Sequence, residues 1–414
     1  MNKILKFFLK TFYYPIPIRI RLKIGNYLLI KLSYLTNIYF KVRYRNREVD
    51  NKIRLQKGVN IIGTPSSHNG IAIISRMLGE YLIKGGLGIS YINSPFKRSN
   101  NIYLIENRDV YFELNEESLK YKTNIFSINF HNMPYYHLLI GSKMAKSYNI
   151  GYFPWEIDYI DSKFKYCFNF IDEVWVYSEF VKQIFEKFFK KVKLKISVKV
   201  MNVNHIDISV KSNKTRKDFN LPEDKFLFYF TFDPYSSIPR KNPIATIKAF
   251  KDAFKDQNKN VALVVKMKKI TQDLYNLNKE YCDEFNKEIN DDRIIIIDET
   301  LSYPDILALA NCCDCLISLH RSEGLGLNIL EALELGKPTI TTNYSANVEF
   351  AHEPKYKDLC YFVGYKMIPV ECDLYKSFLQ CSRKNKHLPQ WADADIGHAG
   401  KLISGVYQKY KLNN

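Results

Sequence analysis

From about residue 58 the chain alternates short β-branched runs with longer amphipathic stretches. The runs "GVNIIG", "GISYIN", "NIFSINF", "GYF" and "EVWVYS" predict strands, whereas "GIAIISRMLGEYLIKGG" and "EFVKQIFEKFFK" predict helices between them. Apolar runs without strict alternation are typical of strands that are buried on both faces. This order of elements therefore predicts a parallel sheet covered by helices.

A polar, charged segment at residues 203–221 interrupts this alternation and predicts a hinge. After it the alternation restarts: "FLFYFTF", "NVALVVKM", "RIIIID", "DCLISL" and "KPTITT" predict strands, and "NPIATIKAFKDAFK" predicts a helix. The economical architecture is α/β, with two doubly wound Rossmann-like domains facing across a cleft. Ligands in such folds bind at the carboxyl ends of the strands.

The length of 414 residues favours two domains. We expect a basic, aromatic-rich extension at 1–57, a first Rossmann-like domain at 58–205 and a second Rossmann-like domain at 206–385. Residues 386–414 predict a terminal helix that packs back on the first domain. The composition, 46% hydrophobic and 25% charged, is that of a globular protein.

The formal net charge of +18 is concentrated at the amino terminus. Residues 1–57 hold fourteen Lys and Arg against Glu48 and Asp50 alone, interleaved with Phe, Tyr, Leu and Ile. Such a segment is typical of a helix lying on an anionic membrane, although a helical extension packed on the protein itself is the alternative. Its charge-free runs are too short to span a bilayer, and its cations interrupt any signal-peptide core.

The cysteines favour a reducing compartment. Cys312, Cys313 and Cys315 cluster where a helix is expected to run into a buried strand, and the region is poor in histidine. We therefore interpret them as small packed hydrophobes rather than zinc ligands. Reduced thiols indicate the cytoplasm.

The stretch "SLHRSEGLGLNILEALELGKPTI", residues 318–340, carries the first candidate chemistry. It predicts a strand, a loop and a helix, and Gly324 and Gly326 would let a phosphate approach the free N–H groups at the helix start. Glu323 and Glu331 could accept hydrogen bonds from sugar hydroxyls. Asn328, Glu331 and Glu334 recur every three residues, so Glu331 is expected to face away from the core. The alternative for Glu331 alone is a solvated helix face.

Positive charge for a diphosphate is predicted from two other strand ends. Arg240 and Lys241 follow the first strand of the second domain, and Lys266 ends the next strand. These side chains could stabilise a diphosphate leaving group. The alternative is exposed loop cations, which we prefer for Lys268 and Lys269.

Together these segments resemble the family 4 glycosyltransferases of the GT-B fold, in particular the group that builds bacterial surface polysaccharides. The resemblance rests on "FTFDPYSSIPRKNPIATIKAFKDAF", "SLHRSEGLGLNILEALELGKPTITTNYSANVEF" and "WADADIGHAGKLI", and on amino-terminal motifs beginning at "GVNIIGTPSSHNG". It covers residues 58–411.

The resemblance implies that 58–205 is the acceptor-side domain and 206–385 the nucleotide-sugar domain. It also implies roles for individual residues. Glu331 would bind the donor ribose and Glu323 the transferred sugar, while Gly324, Leu325 and Gly326 would pass close to the diphosphate. Lys241, with Arg240 or Lys266, would neutralise that diphosphate. His131 would reach the donor sugar as a catalytic residue, or else only line a loop. The acceptor side would be lined by the residues Ser66, Ser67, His68, Asn69 and Gly70.

Two departures from the family pattern stand out. Asp233 occupies a position where many relatives carry Arg, which leaves Lys241 and Lys266 more of the phosphate charge. "SAN" at 345–347 replaces the usual Ser-Gly-Asn, a conservative change only if that backbone needs no positive φ.

The function expected is therefore a retaining, metal-independent glycosyltransferase that moves a hexose from a nucleoside diphosphate sugar. The sugar nucleotide is a substrate, and no cofactor or metal is expected. The acceptor would be a growing surface polysaccharide or a lipid-linked oligosaccharide at the inner face of the plasma membrane. Alternatives are a noncatalytic GT-B scaffold and a nucleotide-sugar epimerase or hydrolase. Nucleic-acid binding is not expected, because the charge lies outside the second domain.

Overall fold

The computed structural model describes residues 18–43, 57–94, 112–115, 117–201, 206–255, 258–371 and 388–413. The chain divides into two compact units: Leu29–His205, here called the N-terminal unit, and Ile206–Asn414, here called the C-terminal unit. The described residues 18–28 are grouped with the C-terminal unit. Of the basic extension, only residues 18–43 and Lys57 are described, and the segments 1–17 and 44–56 lie outside the described residues. Residues Ile18–Arg43 form one helix, α1.

The N-terminal unit is built on a seven-stranded parallel sheet in the order β3-β2-β1-β4-β5-β6-β7. Its elements are β1 Gly58–Gly63, α2 Gly70–Lys84, β2 Gly88–Asn93, β3 Phe112–Glu113, β4 Thr123–Ser127, α3 Met133–Met144, β5 Tyr148–Tyr152, β6 Glu173–Val176, α4 Glu179–Val192 and β7 Ser197–Val200. Strands are added outward in both directions from the β1–β4 pair. Because crossovers are right-handed, the two directions place helices on opposite faces.

An aromatic core supports the carboxyl ends of these strands. The ring of Phe130, just after β4, contacts Phe153, Phe168 and Phe185 at centroid distances of 6.2, 5.3 and 5.8 Å. All four side chains are buried. Ring pairs of this kind add to area burial, so the loop that follows β4 stands on a rigid base.

The C-terminal unit has a six-stranded parallel sheet, β10-β9-β8-β11-β12-β13, and a two-stranded antiparallel sheet, β14-β15. Its elements are β8 Phe226–Phe232, α5 Ile238–Lys241, α6 Pro243–Ala253, β9 Val261–Met267, α7 Gln272–Leu277, α8 Lys279–Glu288, β10 Ile294–Ile297, α9 Tyr303–Cys312, β11 Cys315–Ser318, α10 Leu327–Glu334, β12 Thr339–Thr342, α11 Asn347–Ala351, β13 Cys360–Val363, β14 Tyr365–Pro369, β15 Gln390–Ala394 and α12 Ile396–Asn413. Five of the six strands, β8 to β12, read as apolar or β-branched runs in the sequence, which is why the alternation locates them. The predicted α/β class is confirmed.

The terminal helix α12 packs on α6 of its own unit. Ala399, Ile403 and Tyr407 recur at helical spacing and join the core that contains Phe226 and Phe250. We had expected residues 386–414 to pack back on the first domain, and the described residues correct this. The apolar face of α12 is complementary to α6, and burying it there completes the C-terminal core.

Among the described residues, no helix combines the length and the apolar character needed to cross a membrane.

Candidate functional site

The C-terminal sheet changes direction between β8 and β11, and the candidate residues follow these two strands. Arg240 and Lys241 lie on the short helix α5 after β8, and Glu323 lies in the loop after β11. Loops at such a switch point diverge and leave a crevice at the carboxyl edge of the sheet, where ligands of open α/β folds bind. The structure thus brings Glu323 to two residues that lie more than 80 positions earlier in the sequence.

Glu323 forms ion pairs with both cations. Its Oε1 lies 2.5 Å from Nζ of Lys241, and its Oε2 lies 3.1 Å from a guanidinium nitrogen of Arg240. The Arg240 and Glu323 side chains are 2% and 8% exposed, so water screens their charges little. Burial alone raises the pKa of Glu323, but Lys241 and Arg240 offset it and bring the pKa down to about 2. Glu323 is therefore a carboxylate at neutral pH.

A constrained turn presents the two cations. Ser237 before α5 and Asn242 after it have φ values of 81° and 54°, which residues other than glycine rarely adopt. The Nδ2 of Asn242 donates to the carbonyl of Leu319 at the end of β11, and Arg240 donates to the carbonyl of Ser322 at 2.7 Å. Strain of this kind persists where surrounding contacts over-determine it, and it is enriched at functional sites.

Ser345 and Ala346 hold the backbone of Glu323. The N–H of Glu323 donates to Oγ of Ser345 at 2.8 Å, and the N–H of Ala346 donates to the carbonyl of Glu323 at 3.3 Å. Ala346 has φ near −62°, so the Ala that replaces a usual Gly meets no positive φ, whereas Ser345 itself has φ 71°. Sequence reasoning missed Ser345, although the "SAN" motif after β12 was a signal for it.

The glycine loop leads directly into helix α10. Gly326 has φ +88°, and a Cβ built there would lie 3.1 Å from Cβ of Asn347. Only glycine fits that conformation and that space without strain. The preceding residues Gly324 and Leu325 are both buried. Since α10 starts at Leu327, its first N–H groups stand beside the loop, as an anion site requires.

Glu331 is buried, 5% exposed, and the expectation that it faces away from the core is wrong. The polar residues of α10 do recur every three positions, but every residue from Ile329 to Leu333 is buried, and Tyr303 of α9 hydrogen-bonds to the carboxyl group of Glu331. Burial raises the pKa of Glu331 to about 8, although Tyr303 and Lys266 act in the opposite direction.

Lys266, near the end of β9, acts on Glu331 together with Lys241. It is 5% exposed, and burial together with Lys268 lowers its pKa to about 8, although Glu331 opposes that shift. The carboxyl group of Glu331 and the amino group of Lys266 therefore share one buried region of the C-terminal unit. A ligand that carries both hydroxyls and phosphate would be matched by such a pair.

Asp233, the departure from the family pattern, forms an ion pair with Lys268 at 2.9 Å. Its other oxygen accepts from the N–H of Tyr235 at 3.0 Å. We had preferred to interpret Lys268 as an exposed loop cation. Its side chain is 26% exposed and paired, because Asp233 lies opposite it at the end of β8.

Arg321, which the sequence analysis overlooked, ties the strained turn to the two-stranded sheet. Its guanidinium donates to the carbonyl of Pro239 at 2.8 Å and pairs with Asp393 of β15 at 3.0 Å, while its N–H donates to the carbonyl of Arg240. The guanidinium also stacks over the ring of Trp391. The spacing of residues in the sequence could not reveal these contacts, because the partner Asp393 lies some 70 residues away.

The predicted residues of the N-terminal unit lie at its own switch point, after β1 and β4. Oγ of Ser66 donates to Oδ1 of Asn93 at 2.8 Å, and Oδ1 of Asn69 caps α2 at the N–H of Ala72. His131 follows β4 in a short 3₁₀ turn.

The loop between β1 and α2 is also held by a side chain of α2. The backbone carbonyl of Ser67 accepts from Arg76 at 2.9 Å. His68 and Gly70 complete the turn into α2, and Gly70 has open space around its Cα. Acceptor binding by residues 66–70 and donor contact by His131 stay predictions.

Both units are thus Rossmann-like, and the C-terminal unit gathers charged residues at the strand ends where nucleotides bind in such folds. Residues 211–359, which contain Lys241, Glu323 and Glu331, match the family model of glycosyl transferases group 1. The chain is a glycosyltransferase of the GT-B fold, as its sequence predicts. A search of the curated proteins found no matching relative.

Solved structures share this fold. HepE from Anabaena, in complex with UDP-glucose, is 12% identical, with a TM-score of 0.54 over 86% of this chain and 98% of the other. A glycosyltransferase from Rickettsia africae is 15% identical, with a TM-score of 0.54 over 85% and 93%. Sucrose-phosphate synthase from Thermosynechococcus elongatus is 13% identical, with a TM-score of 0.51 over 86% and 94%. At these identities the likeness establishes the fold.

No group of three or more His, Cys, Asp or Glu side chains in the described part of the chain is placed to hold a metal ion. Metal independence stays a prediction.

Proposed function

We propose that the protein is a retaining glycosyltransferase of family 4 that transfers a hexose from a nucleoside diphosphate sugar without a metal ion. The observation that carries the proposal is the buried cluster in which Glu323 pairs with Lys241 at 2.5 Å and Arg240 at 3.1 Å. It stands at the switch point of the sheet, next to the glycine turn at 324–326. UDP-glucose is the ligand of the similar structure HepE, which supports a nucleotide sugar as donor.

In this proposal the diphosphate lies at the start of α10, where the backbone N–H groups point at it. Lys241 and Arg240 supply positive charge that is already fixed in position by the strained turn and by Glu323. Because these charges need no reorganisation as the phosphate leaves, they lower the barrier for departure. A metal ion is not needed to neutralise the leaving group.

Glu323 accepts hydrogen bonds from the hydroxyls of the transferred hexose, since its pKa of about 2 keeps it ionised. Its Oε1 and Oε2 stay anchored by the two cations, which fixes the sugar ring relative to the diphosphate. Glu331 binds the ribose hydroxyls; Lys266 lowers its pKa, but burial outweighs this and keeps the pKa at about 8.

The acceptor hydroxyl then attacks from the face that the diphosphate leaves, and the departing phosphate oxygen takes its proton. The configuration at the anomeric carbon is retained without a covalent intermediate. The acceptor is a growing surface polysaccharide or a lipid-linked oligosaccharide, met at the cytoplasmic face of the plasma membrane.

The test is a transfer reaction with the purified protein, UDP- and GDP-hexoses and lipid-linked oligosaccharides as acceptors, in buffer containing EDTA. The expected result is a new glycosidic bond whose NMR signal shows the anomeric configuration of the donor. Inversion would overturn the retaining mechanism, and loss of transfer in EDTA would overturn metal independence. Release of free hexose or of an epimer, equally with and without acceptor, would replace transfer by hydrolysis or epimerisation.

A further inference from the structure

Helix α1 carries large apolar side chains on its exposed side. These nine residues, here called the outer stripe, are 39–79% exposed: Ile20, Ile24, Tyr27, Leu28, Tyr34, Leu35, Ile38, Tyr39 and Val42. They recur at spacings of three and four and so occupy an arc of about 140° on one side of the helix. One helix of 26 residues thereby holds nine of the twenty large exposed apolar side chains among the described residues.

On the side of α1 away from the outer stripe, two described polar residues are packed against the protein. Thr36 and Asn37 are 4% and 6% exposed, and Oγ1 of Thr36 donates to the carbonyl of Leu32 within the helix. The ring of Tyr34, at the margin of the outer stripe, meets Tyr166 edge-on at 5.6 Å. A surface helix of a soluble protein turns its apolar stripe toward the core, whereas the outer stripe of α1 faces outward. The pattern of α1 is therefore suited to an apolar medium outside the protein.

Positive charge accompanies the outer stripe. Lys31 lies in the middle of the stripe and is exposed, and Arg43 is exposed at the end of the helix. The helix contains no acidic residue, and residues 1–57 carry fourteen Lys and Arg against two acids. A second copy of the chain would bring like charges together. Anionic lipid headgroups complement them, and a lysine can extend from an apolar surface to those headgroups.

We propose that α1 lies in the plane of an anionic phospholipid bilayer with its outer stripe in the boundary between headgroups and acyl chains. At 26 residues the helix extends about 39 Å along that surface. Its residues Lys31 and Arg43 meet the headgroup phosphates. The inference deepens the proposed function, since it names where a lipid-linked acceptor would be met, and only that consequence rests on the proposed function.

The test is flotation of the full-length protein with vesicles of phosphatidylglycerol and phosphatidylcholine. Leu35→Gln/Ile38→Gln/Val42→Gln removes three members of the outer stripe at exposed positions. We expect this variant to partition at least about tenfold more weakly than the unmodified protein. The matched control Leu138→Gln/Leu139→Gln/Leu412→Gln changes three exposed leucines elsewhere and should bind within about twofold of the unmodified protein.

Charge is tested separately. Lys31→Glu/Arg43→Glu should weaken flotation by a similar factor, raised salt should do the same, and pure phosphatidylcholine vesicles should bind poorly. Circular dichroism and the thermal shift with UDP establish that each variant is folded, and both are independent of lipid.

Equal flotation of the stripe variant and the unmodified protein would overturn the proposal, as would an equal loss in the control. A dimer in sedimentation that the stripe variant abolishes would assign the surface to a second copy instead. Failure of transfer with normal flotation would contradict the proposed function and leave the membrane surface standing.

Discussion

Nζ of Lys241 lies 2.5 Å from Oε1 of Glu323, and this pair links the ends of two adjacent strands, β8 and β11. The pair is buried beside Arg240, so the cluster carries one negative and two positive charges. That surplus of positive charge suits it to an anionic leaving group, while its carboxylate suits it to hydroxyls.

Removing the carboxylate should leave two buried cations without their anion. For Glu323→Gln we expect a loss of stability on the order of 3 kcal/mol and a fall in transfer rate of about 100-fold. Urea denaturation and the initial rate at saturating donor measure the two effects. Glu334→Gln is the control. Glu334, at the end of α10, bonds to Lys355 and Tyr356, and its replacement should cost under about 1 kcal/mol. Comparable losses in both variants would contradict a special role for Glu323.

Stability should depend on the ionisation of Glu331. Because burial raises its pKa from 4.5 to about 8, the folded state binds a proton that the unfolded state has released over this interval. The stability that this group contributes is fully present below about pH 4.5 and is lost as the pH rises through about 8. Glu331→Gln removes this dependence. The free energy of unfolding of the unmodified protein, relative to that of the variant, should therefore fall from pH 5 to pH 9, and parallel curves would disprove the assignment.

Ser345 should act by positioning Glu323. Ser345→Ala removes the hydroxyl that accepts from the Glu323 N–H, and the alanine must still adopt a φ of 71°. We expect a cost of about 1–3 kcal/mol, a lower kcat and a nearly unchanged KM for the donor.

Ser345→Gly separates the two contributions of this residue. This variant also lacks the hydroxyl, but glycine adopts a positive φ without strain. It should therefore be more stable than Ser345→Ala while showing the same low kcat. A normal kcat in either variant would show that the hydroxyl does not position the carboxylate.

Gly326 should not tolerate a side chain. Gly326→Ala forces a Cβ to 3.1 Å from Cβ of Asn347 at φ +88°, and we expect a loss of about 1–3 kcal/mol together with weaker nucleotide binding. Gly405→Ala is the matched control, because Gly405 lies within α12 with open space around it. That change should be neutral or stabilising by up to about 1 kcal/mol. Thermal melts with and without UDP compare them.

Much of the fold could be predicted because parallel strands buried on both faces read as apolar runs, as in Phe226–Phe232 and Val261–Met267. The strand Gln390–Ala394 could not be predicted, because its "WADAD" pattern resembles the start of a capped helix. Its pairing with Tyr365–Pro369 also joins segments that are distant in the sequence. Of the two aspartates in this segment, Asp395 caps the terminal helix, whereas Asp393 pairs with Arg321.

The candidate site also contains residues that could be predicted from the sequence and residues that could not. Residue types at strand ends identified Glu323 and Lys241 as candidates, because charged residues after buried strands are local signals. The burial of Glu331 depends on Tyr303 and Lys266, which lie on other elements, so helical period alone placed it on the wrong side. The contacts of Ser345 and Arg321 arise from tertiary packing and leave no periodic trace.

The most direct test of the account is nucleotide-sugar binding by the C-terminal unit within the full-length protein. Thermal shifts are measured with UDP, GDP and their common hexose derivatives for the unmodified protein and for Glu331→Ala. The account predicts that one nucleotide and its sugars raise Tm by several degrees at concentrations near 100 times Kd, and that Glu331→Ala abolishes the rise. No rise with any nucleotide, or an equal rise in the variant, would contradict it.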